Sequence, residues 1–263
     1  MSESLVQYSV SNAGVATLTL SDPPANCYSY EMMQSLDVAI LRARMDESVH
    51  VIVIRGDGEK FFCAGADIRL LSRYSPDYKY NFCLHANETL SRLEHTPKLT
   101  IAAIAGHCVG GGLEVALACD LRIARAGASK IGMPEVNLGV LPGTGGTQRL
   151  VRLVGKSKAI EWLATGLLMS PEEAVGHGIL NAVWPAEEFW QKLARYAEGF
   201  CAPERAARAI GLMKRSVQSG AESALQEGLA LERELQQRLF DSADAQEGIA
   251  AYLEKRTPRF QGR

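Results

Sequence analysis

Residues 110–119 read Gly110-Gly111-Gly112-Leu113-Glu114-Val115-Ala116-Leu117-Ala118-Cys119, and a second acidic residue follows in Met133-Pro134-Glu135. The glycines run straight into a mostly apolar segment that reads as a short helix. The opening turn of a helix leaves its amides without intrahelical partners. Glycine has no Cβ, so a ligand can come close to those amides, and the helix dipole adds positive potential where a negatively charged oxygen could sit. This is the arrangement of an oxyanion hole. Three small residues also let a buried helix pack closely, so the triplet needs a second donor before it points to chemistry.

A candidate second donor lies in Phe61-Phe62-Cys63-Ala64-Gly65-Ala66-Asp67-Ile68-Arg69. It follows a strand-like segment, 49–55, and the turn Gly56-Asp57-Gly58. Small residues again expose the backbone. With these motifs, and with Pro-Glu-Val-Asn-Leu-Gly-Val-Leu-Pro-Gly-Thr-Gly-Gly-Thr-Gln-Arg over 134–149, the chain resembles the crotonase superfamily, the enoyl-CoA hydratases and isomerases. The likeness extends almost end to end, from an amino-terminal strand pair to the closing Glu254-Lys255-Arg256-Thr257-Pro258-Arg259-Phe260.

The resemblance implies roles position by position. The two oxyanion donors match the amides of Ala66 and Gly111, and the two catalytic glutamates of family hydratases match Glu114 and Glu135. Gly143 matches a glycine whose amide helps to hold the reacting water. A coenzyme A thioester is implied across Ala64, Gly65, Asp67, Ile68 and Arg69, with adenine near Ala64 and Asp67 to Ile68, and phosphates near Arg69 and Lys255. Arg69 also suits anion binding on physical grounds. The segment Asn26-Cys27-Tyr28 departs from the Asn-Ala-Leu or Asn-Ala-Met of many relatives, which leaves the fine structure of the nucleotide pocket open.

Chemistry supports the same residues. Adding water to a double bond conjugated with a thioester puts an oxygen on Cβ and a proton on Cα, with negative charge gathering on the thioester oxygen. Two carboxyl groups can position that water, one as base and one as acid, if their environments separate their proton affinities. Burial among Leu113, Val115 and Leu117 and a place in a helix's first turn act on Glu114 in opposite directions, so which carboxyl carries the proton stays open here. Each glutamate alone reads equally as a helix-start residue. Together with both amide motifs they point to hydration or its reversal. An isomerase, a pathway-specific dehydratase of branched or cyclic acyl-CoA, and an RNA-binding or structural member of the fold remain alternatives.

Composition bounds the classes. The chain has 263 residues, 47% hydrophobic and 22% charged, enough for a substantial core. A net charge of −2 leaves no electrostatic footprint for nucleic acid or an anionic membrane surface. The most apolar stretch, 99–119, contains His107, four glycines and Glu114 and reads as strand, loop and helix rather than a membrane span. Glu3 and the lack of a basic or apolar leader give no secretory or transit signal. Six cysteines without a Cys-x-x-Cys pair suggest free thiols in a reducing, cytoplasmic setting. Cys63 and Cys108 read as packing residues, His107 as a turn residue, and the five histidines lack metal-site spacing, so no metal and no cofactor beyond the substrate's own CoA is expected. Gly155-Lys156-Ser157 lacks the earlier glycine of a phosphate loop, and the cluster 143–146 lacks dinucleotide spacing.

The organisation is α/β. Strands are expected at 5–11, 15–20, 49–55, 99–105, 120–125 and 179–183, and helices at 31–45, 78–94 and 147–154, with a helical pattern from Glu187 onward. The family resemblance turns this into a crotonase-like spiral of repeated β-β-α units, 1–195, carrying the site. A C-terminal helical region, 196–263, would cover the site and mediate contacts of a homotrimer or dimer of trimers. The polar stretch 72–80 is expected to be a loop, either a lid on the acyl pocket or ordinary surface.

Overall fold

The computed structural model describes residues 4–127 and 129–263. In chain order the first elements are β1 (Val6–Val10), β2 (Val15–Leu20), α1 (Tyr30–Met45), β3 (Val51–Gly56), β4 (Phe61–Cys63), the single turn α2 (Ile68–Leu71) and α3 (Pro76–Glu94). Next come β5 (Leu99–Ile104), β6 (His107–Val109), α4 (Gly111–Leu117), β7 (Leu121–Arg125), β8 (Ile131–Gly132), a 3₁₀ turn Glu135–Leu138, α5 (Gly146–Val154) and α6 (Lys156–Thr165). The remainder is β9 (Leu168–Met169), α7 (Pro171–Gly176), β10 (Ala182–Trp184), α8 (Phe189–Glu198), α9 (Ala207–Ala221), α10 (Leu225–Phe240) and α11 (Ala243–Glu254).

The long strands form one sheet in the order β1-β2-β3-β5-β7-β10, and the short ones a second in the order β4-β6-β8-β9. Each turn of chain therefore places one long strand, one short strand and then helix: β3-β4-α3, β5-β6-α4, β7-β8-α5. Because successive strands of each kind pair in parallel, the turns stack as a spiral. Among the described residues, only the β1–β2 pair and the β8–β9 pair are antiparallel.

The central strands β3, β5 and β7 bury apolar side chains on both faces, as parallel strands covered on both sides must. Ile52, Ile54, Ala102, Ile104 and Ala124 face the main core with α1, α3 and α4, while Val51, Val53, Ile101, Ala103 and Ile123 face Phe189, Leu193 and Ala197 of α8. Helix α1 starts at Ser29, whose side chain accepts from Met32 N (3.2 Å), and turns Met32, Leu36, Ala39, Ile40 and Ala43 inward at helical spacing.

Two expectations are corrected. Residues 72–80 are only partly a loop, because Pro76 opens α3 and Ser75 caps it by accepting from Tyr78 N (3.2 Å). A Ser-Pro-Asp start is a helix signal that the polarity of the stretch obscured. The last long strand begins at Ala182, not 179, since Ile179 and Leu180 are drawn to Ala174 O and Asn181 spends its side chain on Arg122 N (2.8 Å).

One buried ion pair joins sheet to carboxy-terminal helix. Asp120 accepts from Thr100 N (2.7 Å) and Oγ1 (2.8 Å) and pairs with Lys214 of α9 (2.9 Å), whose side chain is 6% exposed. Asp120→Ala strands that ammonium and is expected to cost about 3 kcal/mol, read as a lower denaturation midpoint.

Candidate active site

Two loops converge on the start of α4. Residues 64–67 run beside the segment before α1: Ala64 N donates to Ala25 O (3.0 Å), Tyr28 N to Gly65 O (3.0 Å) and Asp67 N to Tyr28 O (3.2 Å). In this parallel bridge the residues flanking Ala66 carry both bonds, so its own N–H faces away from Tyr28. Buried Asn26 locks the approach, donating from Nδ2 to the carbonyls of Asp57 (3.0 Å) and Phe61 (3.0 Å). Opposite, Gly110 holds φ +57°, a turn that disfavours any side chain, and presents Gly111 as the first residue of α4. A Cβ on Gly65 would lie 2.9 Å from Gly111 N, so the loops touch. Among the described residues, neither the Ala66 nor the Gly111 N–H donates to a protein acceptor.

Glu114 lies one turn into α4 and is 2% exposed. Its Oε1 accepts from Thr144 N (2.8 Å) and Gly146 N (2.7 Å), and its Oε2 accepts from the Thr144 hydroxyl. Both oxygens are thus acceptors, which compensates the burial with fixed dipoles. The loop that supplies them is itself held from α3 and α5. Asn87 Nδ2 donates to Gly143 O (3.2 Å), and Arg149 donates to Thr144 O (3.2 Å) while paired with Glu94 (2.7 Å). Gly143 stands against Cys83 Sγ, and its N–H has no protein acceptor among the described residues.

Glu135 is in the opposite condition. It opens the 3₁₀ turn with its carboxyl against Gly110, where a Cβ would lie 2.9 Å from Oε1, and its Oε2 is buried without a partner. Burial pushes this carboxyl up to about 7, against a lesser lowering by a backbone hydrogen bond, with the Glu114 charge the smallest contribution, also upward.

Close contacts therefore join these parts: the residue 64–67 loop meets Gly111, Gly110 meets Glu135, and Glu114 meets the residue 143–146 loop. Asp67 caps α2 by accepting from Arg69 N (2.8 Å), with Ile68 and Arg69 exposed beside it. Lys255 is the exposed cap of α11, in a segment that folds onto Pro203 and His50, and among the described residues no hydrogen bond links it to residues 64–69. Cys63 and Cys108 are fully buried, and burial holds the Cys63 thiol at about 12, so neither is a nucleophile. His107 accepts at Nδ1 from Lys130 N (3.0 Å), at the seam of the short strands.

Residues 10–263 match the family described as enoyl-CoA hydratase/isomerase. The chain belongs to that family. A probable enoyl-CoA hydratase of Bacillus subtilis is 38% identical over 250 residues, covering 94% of this chain and 95% of the relative. A 2,3-dehydroadipyl-CoA hydratase of Escherichia coli is 35% identical, covering 95% and 96%. The crystal structure of an enoyl-CoA hydratase from Geobacillus kaustophilus superposes with a TM-score of 0.96 at 41% identity, over 100% of this chain and 98% of that one.

In this enoyl-CoA hydratase/isomerase family member, the hydrogen-bonding places of Tyr28, Asn87, Thr144 and Arg149 escaped the sequence reading. Tyr28, which stood out only as a departure from relatives, buries its ring beside Phe82 and sets its hydroxyl beside Thr144 Oγ1 (3.1 Å). The only signal for Thr144 was a lone hydroxyl among glycines, and its partner is thirty places away in sequence.

Proposed function

We propose that the protein is an enoyl-CoA hydratase that adds water reversibly across the double bond of a trans-2-enoyl-CoA to give a 3-hydroxyacyl-CoA. The observation that carries this reading is a pair of carboxyl groups in opposite surroundings, Glu114 accepting from three protein donors and Glu135 buried with its carboxyl raised to about 7, beside the two amides of Ala66 and Gly111. The Ala66 and Gly111 N–H groups hold the thioester oxygen as it gains charge. Glu114, accepting from three protein donors, serves as base for the attacking water, whose oxygen bonds to Cβ. Glu135, carrying the proton, delivers it to Cα. Gly143 N–H helps to orient the water. The proton gained by Glu114 and the one lost by Glu135 are rebalanced through the site before the next turnover, so the two titrate as a coupled pair. No cofactor is needed beyond the substrate's CoA, which Ala64, Gly65, Asp67, Ile68, Arg69 and Lys255 are proposed to bind.

Names of relatives support the class, since those quoted above are hydratases of enoyl-CoA or 2,3-dehydroadipyl-CoA. The helical region 196–263 is proposed to cover the site and to build a trimer or dimer of trimers. Exposed Val217, Leu225, Tyr252 and Leu253 give it apolar surface for such contacts.

The test is loss of the conjugated enoyl-thioester absorbance on mixing with crotonyl-CoA, with 3-hydroxybutyryl-CoA as product. Migration of the double bond in place of water addition would make the protein an isomerase. Binding without turnover of straight, branched and cyclic enoyl-CoAs would remove the hydratase reading.

A further inference from the structure

Tyr28 meets three parts of the candidate site: the residue 65–67 loop, Gly111 and Thr144. Its backbone bridges Ala66, through Tyr28 N to Gly65 O (3.0 Å) and Asp67 N to Tyr28 O (3.2 Å). Its ring is 3% exposed, and a Cβ added to Gly111 would overlap its hydroxyl and ring edge, so the phenol forms the floor beneath that amide. Its oxygen lies 3.1 Å from Thr144 Oγ1, which in turn contacts Glu114 Oε2.

Counting hydrogens fixes the direction of this chain. An ionised carboxylate only accepts, so the single Thr144 hydroxyl hydrogen must go to Glu114. Thr144 Oγ1 then has only lone pairs for Tyr28, and the phenol must donate. Burial and the Glu114 charge hold the phenol well above its ordinary value, so that hydrogen stays in place at working pH. We propose that the Tyr28 hydroxyl is a positioning group for the hydration reaction: by donating to Thr144 Oγ1 it commits the Thr144 hydrogen to Glu114 Oε2 and holds that carboxylate in its reacting orientation. Without it the Thr144 hydroxyl is free to rotate, and Glu114 Oε2 loses its only partner for part of the time. Alignment of a base with its water is steep in geometry, so a small loosening shows in rate.

This inference rests on the hydratase reading. Its test compares crotonyl-CoA hydration by wild type, Tyr28→Phe, Thr144→Val, Thr144→Ser, Tyr28→Phe/Thr144→Val and Tyr28→Phe/Thr144→Ser, each with a thermal denaturation curve. Tyr28→Phe is expected to lower kcat about tenfold with KM moved less than about twofold. Thr144→Ser keeps the hydroxyl, so Tyr28→Phe should cost about the same in that background. Once Thr144→Val has removed the hydroxyl, adding Tyr28→Phe should lower kcat no further. An active wild type with an indifferent Tyr28→Phe would overturn the proposal alone. So would two losses that multiply in the double variant, or a kcat loss that follows only a fallen melting temperature. A wild type that hydrates no enoyl-CoA removes the hydratase reading and this one with it.

Discussion

Glu114→Gln lowers kcat for crotonyl-CoA hydration by about 10³-fold while leaving KM within about threefold of wild type. The size follows from what the carboxylate does and the selectivity from how it is held. Two amides, those of Thr144 and Gly146, point at Oε1, so the glutamine carbonyl oxygen takes that place. The glutamine NH₂ then donates to the Thr144 oxygen, whose hydrogen can turn toward the Tyr28 oxygen, so the cost to the buried chain is one phenol hydrogen left without the acceptor it has in wild type. The variant should therefore fold, bind a CoA thioester and lack only a basic oxygen for the attacking water. Stopped-flow absorbance gives kcat and KM, and a denaturation curve confirms the fold. A variant within tenfold of wild type would remove Glu114 from the chemistry.

Glu135→Gln is expected to cost about 10²-fold in hydration rate and to act on stability in the opposite sense. In wild type the carboxyl must carry its proton to serve as acid. With its folded value raised to about 7, the hydration rate should fall as pH rises through that value. Stability follows from linkage. The folded state holds this proton up to about 7 and the unfolded state releases it near the ordinary glutamate value, so folded protein binds more protons in between. Stability contributed by this site is therefore intact at acidic pH and lost as pH rises across that window. Glutamine mimics the protonated form, so the variant should melt a few degrees above wild type at pH 8 and level with it at pH 5. Equal melting temperatures at both pH values would show that the wild-type carboxyl is not held protonated by its surroundings.

The parts of the fold visible in the sequence were those with a period. β2, β3, β5 and β7 are apolar runs bounded by turns, and α1 carries its buried side chains at helical spacing. The second sheet was invisible because β4, β6, β8 and β9 have two or three residues each, too short for any alternation to register. In the site, glycine-rich motifs and acidic residues stood out because they are unusual in apolar surroundings. The hydrogen-bonding places of Tyr28, Asn87 and Arg149 did not. An aromatic, an amide and a cation are common anywhere, and their roles come from meeting the residue 143–146 loop across long stretches of chain. The raised carboxyl was equally hidden, since Glu135 Oε2, without a partner among the described residues, depends on what its fold neighbours fail to offer.

The two amides that hold Glu114 Oε1 belong to the main chain, and replacing a side chain leaves them in place. What can be lost by mutation is room. A methyl group at Gly146 would come within 2.9 Å of that oxygen, and Gly145 turns at φ +109°, which side chains disfavour. Inherited change in this loop is thus harmful mainly by adding atoms. Tolerance there should follow the volume of the incoming residue more closely than its chemistry, so a library at these positions would be sorted by size before charge or polarity.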